Sequence, residues 1–296
     1  MIEGYRIDAV HTFQIRTLRA LGYDARVALS NASGANPSLA TDYRVDVSVY
    51  GPSRVRERHE IDVARLGCGE KVLIDCAPFS PASGEAIIIF HLIPLRMKPA
   101  SDGTVAISRQ ELYGLFTAQD HYVEYYRGDG FAAGVLYQSG AFNYEKFSRE
   151  STTIVQAPKC YVSEDVDTLL SFVNSSLDPE YDRTATLRCC LRDGNGRQYE
   201  FSHSIAPFEP ALISVKQKLK ELGAPAVSSA LSFYAFHGLC QTATMWPLTI
   251  SLDERTGAIG IEHSLPPPYY VTGAVGAERA RIVRELAGST LFSGGH

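Results

Sequence analysis

The sequence predicts a mainly β fold, a tandem duplication of one β-sandwich domain with short peripheral helices. Three observations carry this expectation. Apolar and polar residues alternate in short runs bounded by Gly, Pro, Asn and Asp, the pattern of half-buried strands. Helical spacing is confined to two short stretches. A series of residue matches recurs at an offset close to half of the 296-residue chain.

In chain order, residues 45–49 (Val-Asp-Val-Ser-Val) alternate with period two, and residues 86–90 form the most apolar window, cut off at His91. Residues 105–107, a turn through Gly114 and a stretch from Leu115 toward Tyr126 read as a hairpin. Ser108-Arg-Gln-Glu111 has the spacing of a helix capping box, but its duplicate at 251–254 places it in a hairpin turn. Residues 187–191 and the strand around Ile205, flanked by Phe201 and Phe208, are joined through Asp193-Gly-Asn-Gly196, a strong hairpin signal. Residues 215–222 have helical spacing and end at Gly223, and residues 278–286 end likewise at Gly288. Between these, residues 247–252 and 258–261 flank the turn 253–257 as a further hairpin.

The repeat is read from matched positions. Residues 28–33 (Ala-Leu-Ser-Asn-Ala-Ser) lie against 171–176 (Ser-Phe-Val-Asn-Ser-Ser), which sets Asn31 against Asn174, 143 positions on. His59 matches His203, Phe90-His91 matches Phe236-His237, residues 106–108 match 249–251, His121 matches His263 and Tyr125-Tyr126 matches Tyr269-Tyr270. The expected domains are therefore 1–149 and 150–296, with the junction near Glu150.

Composition narrows the function classes. With 28 basic and 33 acidic residues the net charge is -5, and no basic stripe offers to neutralise a run of phosphates, so nucleic acid is not an expected partner. The charges at Glu3, Arg6 and Asp8 interrupt any secretory signal, and the apolar window is far shorter than the roughly 20 residues that span a bilayer. Cysteines at 68, 76, 160, 189, 190 and 240 form no C-x-x-C, which reads as free thiols in a reducing cytoplasm. Without export, the sequons at Asn31 and Asn174 have no route to modification.

Two constellations are candidates for chemistry. Three histidines in each half, His59, His91 and His121 or His203, His237 and His263, have the residue type of a three-histidine metal site, although their wide spacing follows no local ligand motif. The plainer reading makes His59 and His203 solvated strand residues and His91 and His237 core imidazoles. The second constellation is aromatic. Between Tyr113 and Phe147 lie Phe116, Tyr122, Tyr125, Tyr126, Phe131, Tyr137, Phe142 and Tyr144, a concentration that the second half lacks. Rings with polar tips suit a binding platform or a protein interface, or fill a seam between sandwiches. The candidate ligand or interface residues are Tyr113, His121, Tyr122, Tyr125, Tyr126, Tyr137 and Tyr144.

Hydrolase elbow, P-loop and dinucleotide motifs are absent. Ser202-His203-Ser204 is not a dyad, because neighbours on a strand face opposite sides. Arg127-Gly-Asp-Gly130 reads as a turn and Pro266-Pro-Pro268 as the end of an edge strand. The expectation is a non-catalytic cytoplasmic protein of two homologous β-sandwich domains, without a cofactor, that binds a ligand or assembles, with itself or with a small molecule, sugar or protein. The alternatives are a metal-dependent enzyme using a histidine cluster and a carbohydrate-binding module using residues 113–147.

Overall fold

The computed structural model describes residues 11–31, 41–81, 84–95, 121–137, 153–176, 181–240, 245 and 248–263. Met1–Phe142 with Ser175–Tyr181 form one compact unit, and Asn143–Asn174 with Asp182–His296 form a second. The segments 143–149 and 175–181 thus fall on the other side of the division from where the sequence boundary would put them.

The chain is mainly β and antiparallel throughout its ladders. Unit 1 contains β1 (His11–Arg16), β2 (Asp24–Ser30), β3 (Tyr43–Tyr50), β4 (Arg56–Leu66), β5 (Lys71–Asp75), β6 (Ile87–Pro94), β7 (His121–Arg127) and β8 (Gly130–Tyr137). Unit 2 contains β9 (Thr153–Val162), β10 (Val166–Asn174), β11 (Ala185–Asp193), β12 (Gln198–Ile205), β13 (Glu209–Ser214), α1 (Val215–Glu221), β14 (Ser232–Cys240), β15 (Leu248–Asp253) and β16 (Ile259–His263). Unit 1 pairs its strands in the orders β1-β6-β3-β4 and β5-β2-β7-β8. Unit 2 has β9-β14-β11-β12 and β13-β10-β15-β16, so the two units follow the same order strand for strand.

Each unit is a two-sheet sandwich with its core between the sheets. In unit 1 the Phe13 ring of β1 meets the imidazole of His121 on β7 edge-on at 5.0 Å, and the Tyr125 hydroxyl of β7 donates to the Arg16 carbonyl of β1 at 2.8 Å. In unit 2 Phe172 of β10 and Phe236 of β14 meet at 6.1 Å. Removing each such side chain from water is worth about 1.5 to 3 kcal/mol, which clamps the sheets face to face. The apolar run 87–90 becomes β6, a central strand fully buried on both sides, and β3 is buried on both faces where period-two alternation alone predicts one.

The hairpin at 193–196 forms as predicted, closed by Asp193 and Arg197, with Gly196 at φ 82°. The helix expected over 215–222 forms as α1; Ser214 caps it by accepting from the Gln217 amide at 2.9 Å, and Gly223 follows at φ 69°. The expected strand at 105–107, the helix at 278–286 and the pair Tyr269-Tyr270 lie outside the described residues.

The asparagine match has a structural counterpart. Asn31 donates its side-chain amide to the carbonyls of Thr41 and Leu66, at 2.8 and 3.2 Å. Asn174 donates to Arg183 and Ile205, at 2.8 and 2.9 Å. Leu66 ends β4 and Ile205 ends β12, while Thr41 and Arg183 each stand two residues before the next strand, so both amides tie the same corner. The histidine matches do not share places in the same way. Counted from the residue opposite the end of β4 or β12, His59 faces the sixth residue of its neighbour, Ser48, but His203 faces the third, Leu187. His91 faces the fourth, Asp46, and His237 the sixth, Cys190. His121 lies on β7, whereas His263 ends the edge strand β16. Equal sequence offset thus does not carry over to equal place in the ladders; the β3–β4 pairing is bulged besides, with Asp62 at φ 58°.

Candidate functional site

Strand β7 sorts the aromatic candidates by its pleat. His121, Val123 and Tyr125 point into the core, and Tyr122, Glu124 and Tyr126 point to the outer face. This corrects two expectations. His121 is wholly buried, with its Nδ1 accepting from the Ser30 amide at 3.3 Å, and Tyr125 is a core ring whose hydroxyl is already used on Arg16. Neither faces a ligand. Tyr113 and Tyr144 lie outside the described residues, and Tyr137 ends β8, opposite His121 in the ladder.

The remaining pair belongs to a patterned outer face on β5-β2-β7-β8. Cross-strand register lays down one charged row of Asp75, Arg26, Glu124 and Gly134 and one smoother row in which Leu73, Ala28 and Tyr122 are neighbours. Leu73 is 61% exposed. The Arg26 guanidinium stacks over the Tyr126 ring at 4.1 Å, and the Tyr126 hydroxyl donates to Asp75 Oδ1 at 3.0 Å. Tyr122 extends over Gly134 on β8. Burial pushes the Tyr126 phenol above its ordinary value, helped by the bond to Asp75 and by the charges of Asp75 and Asp24. Burial and Glu124 push Tyr122 in the same direction. Both rings therefore stay neutral hydrogen-bonding groups in a fixed frame. The alternation within residues 24–30 marks Arg26 and Ala28 as outward, but nothing local in the sequence places Leu73 or Asp75 beside them.

The histidine triads do not assemble. Among the described residues no three His, Cys, Asp or Glu side chains gather as metal ligands. His59 and His91 do approach, with ring centroids 6.1 Å apart, and both meet Ser48: His59 Nδ1 and His91 Nε2 each lie 2.9 Å from its Oγ. His91 Nδ1 is buried with no hydrogen-bond partner among the described residues, so the proton belongs on Nε2, where it has an acceptor. His91 then donates to Ser48, and Ser48 donates to His59. Desolvation lowers the His91 pKa to about 4, with a further push from His59 and Arg56 against the pull of Asp46. A hydroxyl held between a donor and a base resembles an activated nucleophile, but Ser48 is 1% exposed and no substrate carbon can reach it. The chain of bonds ties β3, β4 and β6 together. His121 belongs to the other sheet of unit 1. In unit 2, His203 is half-buried and His263 exposed, on strands β12 and β16 of different sheets.

Burial keeps four of the buried thiols protonated. Burial, and then a neighbouring acid or thiol, pushes Cys76, Cys160 and Cys189 far up, and Cys190 rises to about 11 for the same first reason. No described helix is long and apolar enough to cross a membrane.

No family model matches the chain, and no curated protein matches it. Solved structures do. A glycosyl hydrolase family 2 member from Bacteroides cellulosilyticus DSM 14838 is 12% identical, covers 86% of this chain and 28% of its own, and has a TM-score of 0.20. Bacteroides uniformis beta-glucuronidase is also 12% identical over 85% of this chain and 25% of its own, with a TM-score of 0.20. A putative beta-galactosidase from Bacteroides fragilis is 10% identical over 85% and 32%, with a TM-score of 0.21. The chain spans about a quarter to a third of the length of these structures.

Proposed function

We propose that this is a non-catalytic assembly protein built from two copies of one β-sandwich domain, with the outer face of β5-β2-β7-β8 as its interface. The observation that carries the reading is the locked pair Tyr122 and Tyr126 on an open sheet face. A flat surface of tyrosine, arginine and an exposed leucine, set among charges of both signs, has the composition of a protein interface rather than of an enclosed small-molecule pocket. The occupant is a second copy of this chain. The charged row reads Asp75, Arg26, Glu124, and a two-fold axis between Arg26 and Glu124 sets each arginine opposite the glutamate of the other copy. The duplication is supported by the shared strand order and the two asparagine corners.

Sedimentation equilibrium tests the interface. The native chain is expected to self-associate, and Tyr122→Ser with Tyr126→Ser to shift it to a single-chain species with an unchanged melting temperature. A native chain that sediments as a monomer across the concentration range, or a double variant that associates as before, sinks the reading.

A further inference from the structure

Unit 2 has a cavity of about 350 Å³ at one end of its sandwich, within the size range of small-ligand sites. Strand register decides which of its lining groups share a wall. Tyr234 on β14 stands between Asp193 on β11 and Cys160 on β9, and Ser232 stands beside Val162. Cys160 and Val162 belong to the buried cluster, so Asp193, Tyr234 and Ser232 are on the core face of the sheet. Phe233 pairs with Tyr161 on the opposite face and belongs to the outer surface. The connection after α1 closes the cavity from the side with Pro225 and Val227. It is anchored by Ala224, which donates to the Leu219 carbonyl at 2.9 Å, and by the Ser228 carbonyl, which accepts from the Glu164 amide at 3.0 Å.

Two oxygens on this wall are unspent. Asp193 Oδ1 fixes the turn by accepting from the amides of Asn195 and Arg197, both at 2.9 Å, which leaves Oδ2 with no hydrogen bond from a described residue. Tyr234 is only 9% exposed, its ring is set edge-on against Tyr199 at 6.2 Å, and its hydroxyl has no hydrogen-bond partner among the described residues. Burial holds that phenol protonated, and Tyr199 and the charge of Asp193 push the same way. The carboxylate is not neutralised from within. No other lining residue is charged, and Arg197, across the turn, stacks over the Tyr199 ring at 5.1 Å instead of pairing with Asp193. Directly opposed side chains on one sheet face have Cβ atoms about 5 Å apart, so one small donor group can meet both oxygens. A complementary ligand brings a positive charge with N–H donors, and a hydrocarbon part to lie against Val162, Val227 and Pro225. We infer that this cavity binds a primary alkylammonium group, whose N–H donors bridge Asp193 Oδ2 and the Tyr234 hydroxyl. It is independent of the tyrosine face of unit 1, so each stands or falls alone.

Isothermal titration of the full chain with butylammonium at low salt tests it. The comparison ligands are 1-butanol, which lacks the charge, butyrate, which reverses it, and butyltrimethylammonium, which keeps the charge but has no N–H donor. Butylammonium is expected to bind and each of the three to bind at least roughly tenfold more weakly. Asp193→Asn keeps the turn cap but removes the charge and should weaken binding by at least roughly tenfold, and Tyr234→Phe keeps the ring but removes the hydroxyl and should weaken it by roughly fivefold, both without a change in melting temperature. Absence of butylammonium binding at about 10 mM, a concentration that would detect even a weak site, overturns the inference. Equal binding of 1-butanol or butyltrimethylammonium, or an affinity that Asp193→Asn or Tyr234→Phe leaves unchanged, overturns it as well.

Discussion

Tyr122 on β7 lies across Gly134 on β8 so closely that a Cβ at position 134 would fall inside the Tyr122 hydroxyl. The glycine is there for the space, since its backbone is ordinary strand and an L residue would otherwise be accepted. Gly134→Ala therefore has to expel the ring from its seat. The expected outcome is a sandwich that still folds but no longer self-associates, seen as a shift in sedimentation with an unchanged far-ultraviolet circular dichroism spectrum. If Gly134→Ala associates like the native chain, the position of Tyr122 has no part in the interface.

The stacked Arg26 should matter through Tyr126 more than through its charge. Arg26→Lys keeps the charge but loses the planar stack, and a lysine on this face is not equivalent. Association is expected to weaken by roughly tenfold, of the order of one stacked cation in a partly dry site. An Arg26→Lys dissociation constant within error of the native one would place the effect in charge alone.

His91 gives a stability with a definite pH window. It binds its proton less readily when folded, with a pKa of about 4 against an ordinary 6.5. Its contribution is therefore complete above pH 6.5 and is lost as the pH falls through about 4. The shift corresponds to roughly 3 kcal/mol across that window. His91→Gln, which can still donate to Ser48, is expected to flatten this part of the stability profile in urea unfolding measured from pH 7 to pH 4. A variant as acid-sensitive as the native chain in that window would assign the loss to other groups.

The two asparagine corners should be equally costly to break. Asn31→Ala or Asn174→Ala leaves two buried carbonyls without their donor, and each unsatisfied group costs about 1 to 3 kcal/mol. Each replacement is expected to lower the melting temperature of its own unit by several degrees. A corner that tolerates alanine would remove the best structural support for the duplication.

Thiol chemistry should single out one cysteine. Cys68 is exposed and the other five are buried. A thiol reagent is expected to titrate one fast thiol in the native chain, none in Cys68→Ser, and the remainder only on unfolding. Fast modification of Cys76 or Cys160 would contradict their packing.

Strand content, the hairpin at 193–196, the cap and end of α1 and the asparagine match were legible in the sequence because each depends on neighbours within a few residues, or on one side chain that satisfies its own corner. The placement of the aromatic residues on β7 was legible only in part. A period of two says that Tyr125 and Tyr126 face opposite ways, but which of them faces the core is decided by the partner sheet, and that is a contact with Arg16 more than a hundred residues away. The histidines show the same limit from the other side. Their offsets look regular along the chain, yet the ladders set the matched residues at different register positions, and His59 meets His91 through Ser48 instead of meeting a third imidazole. Local backbone preference and side-chain period fixed the strands. Register between strands distant in sequence, set by packing of whole faces, decided which side chains became neighbours and hence where a partner or a ligand can bind.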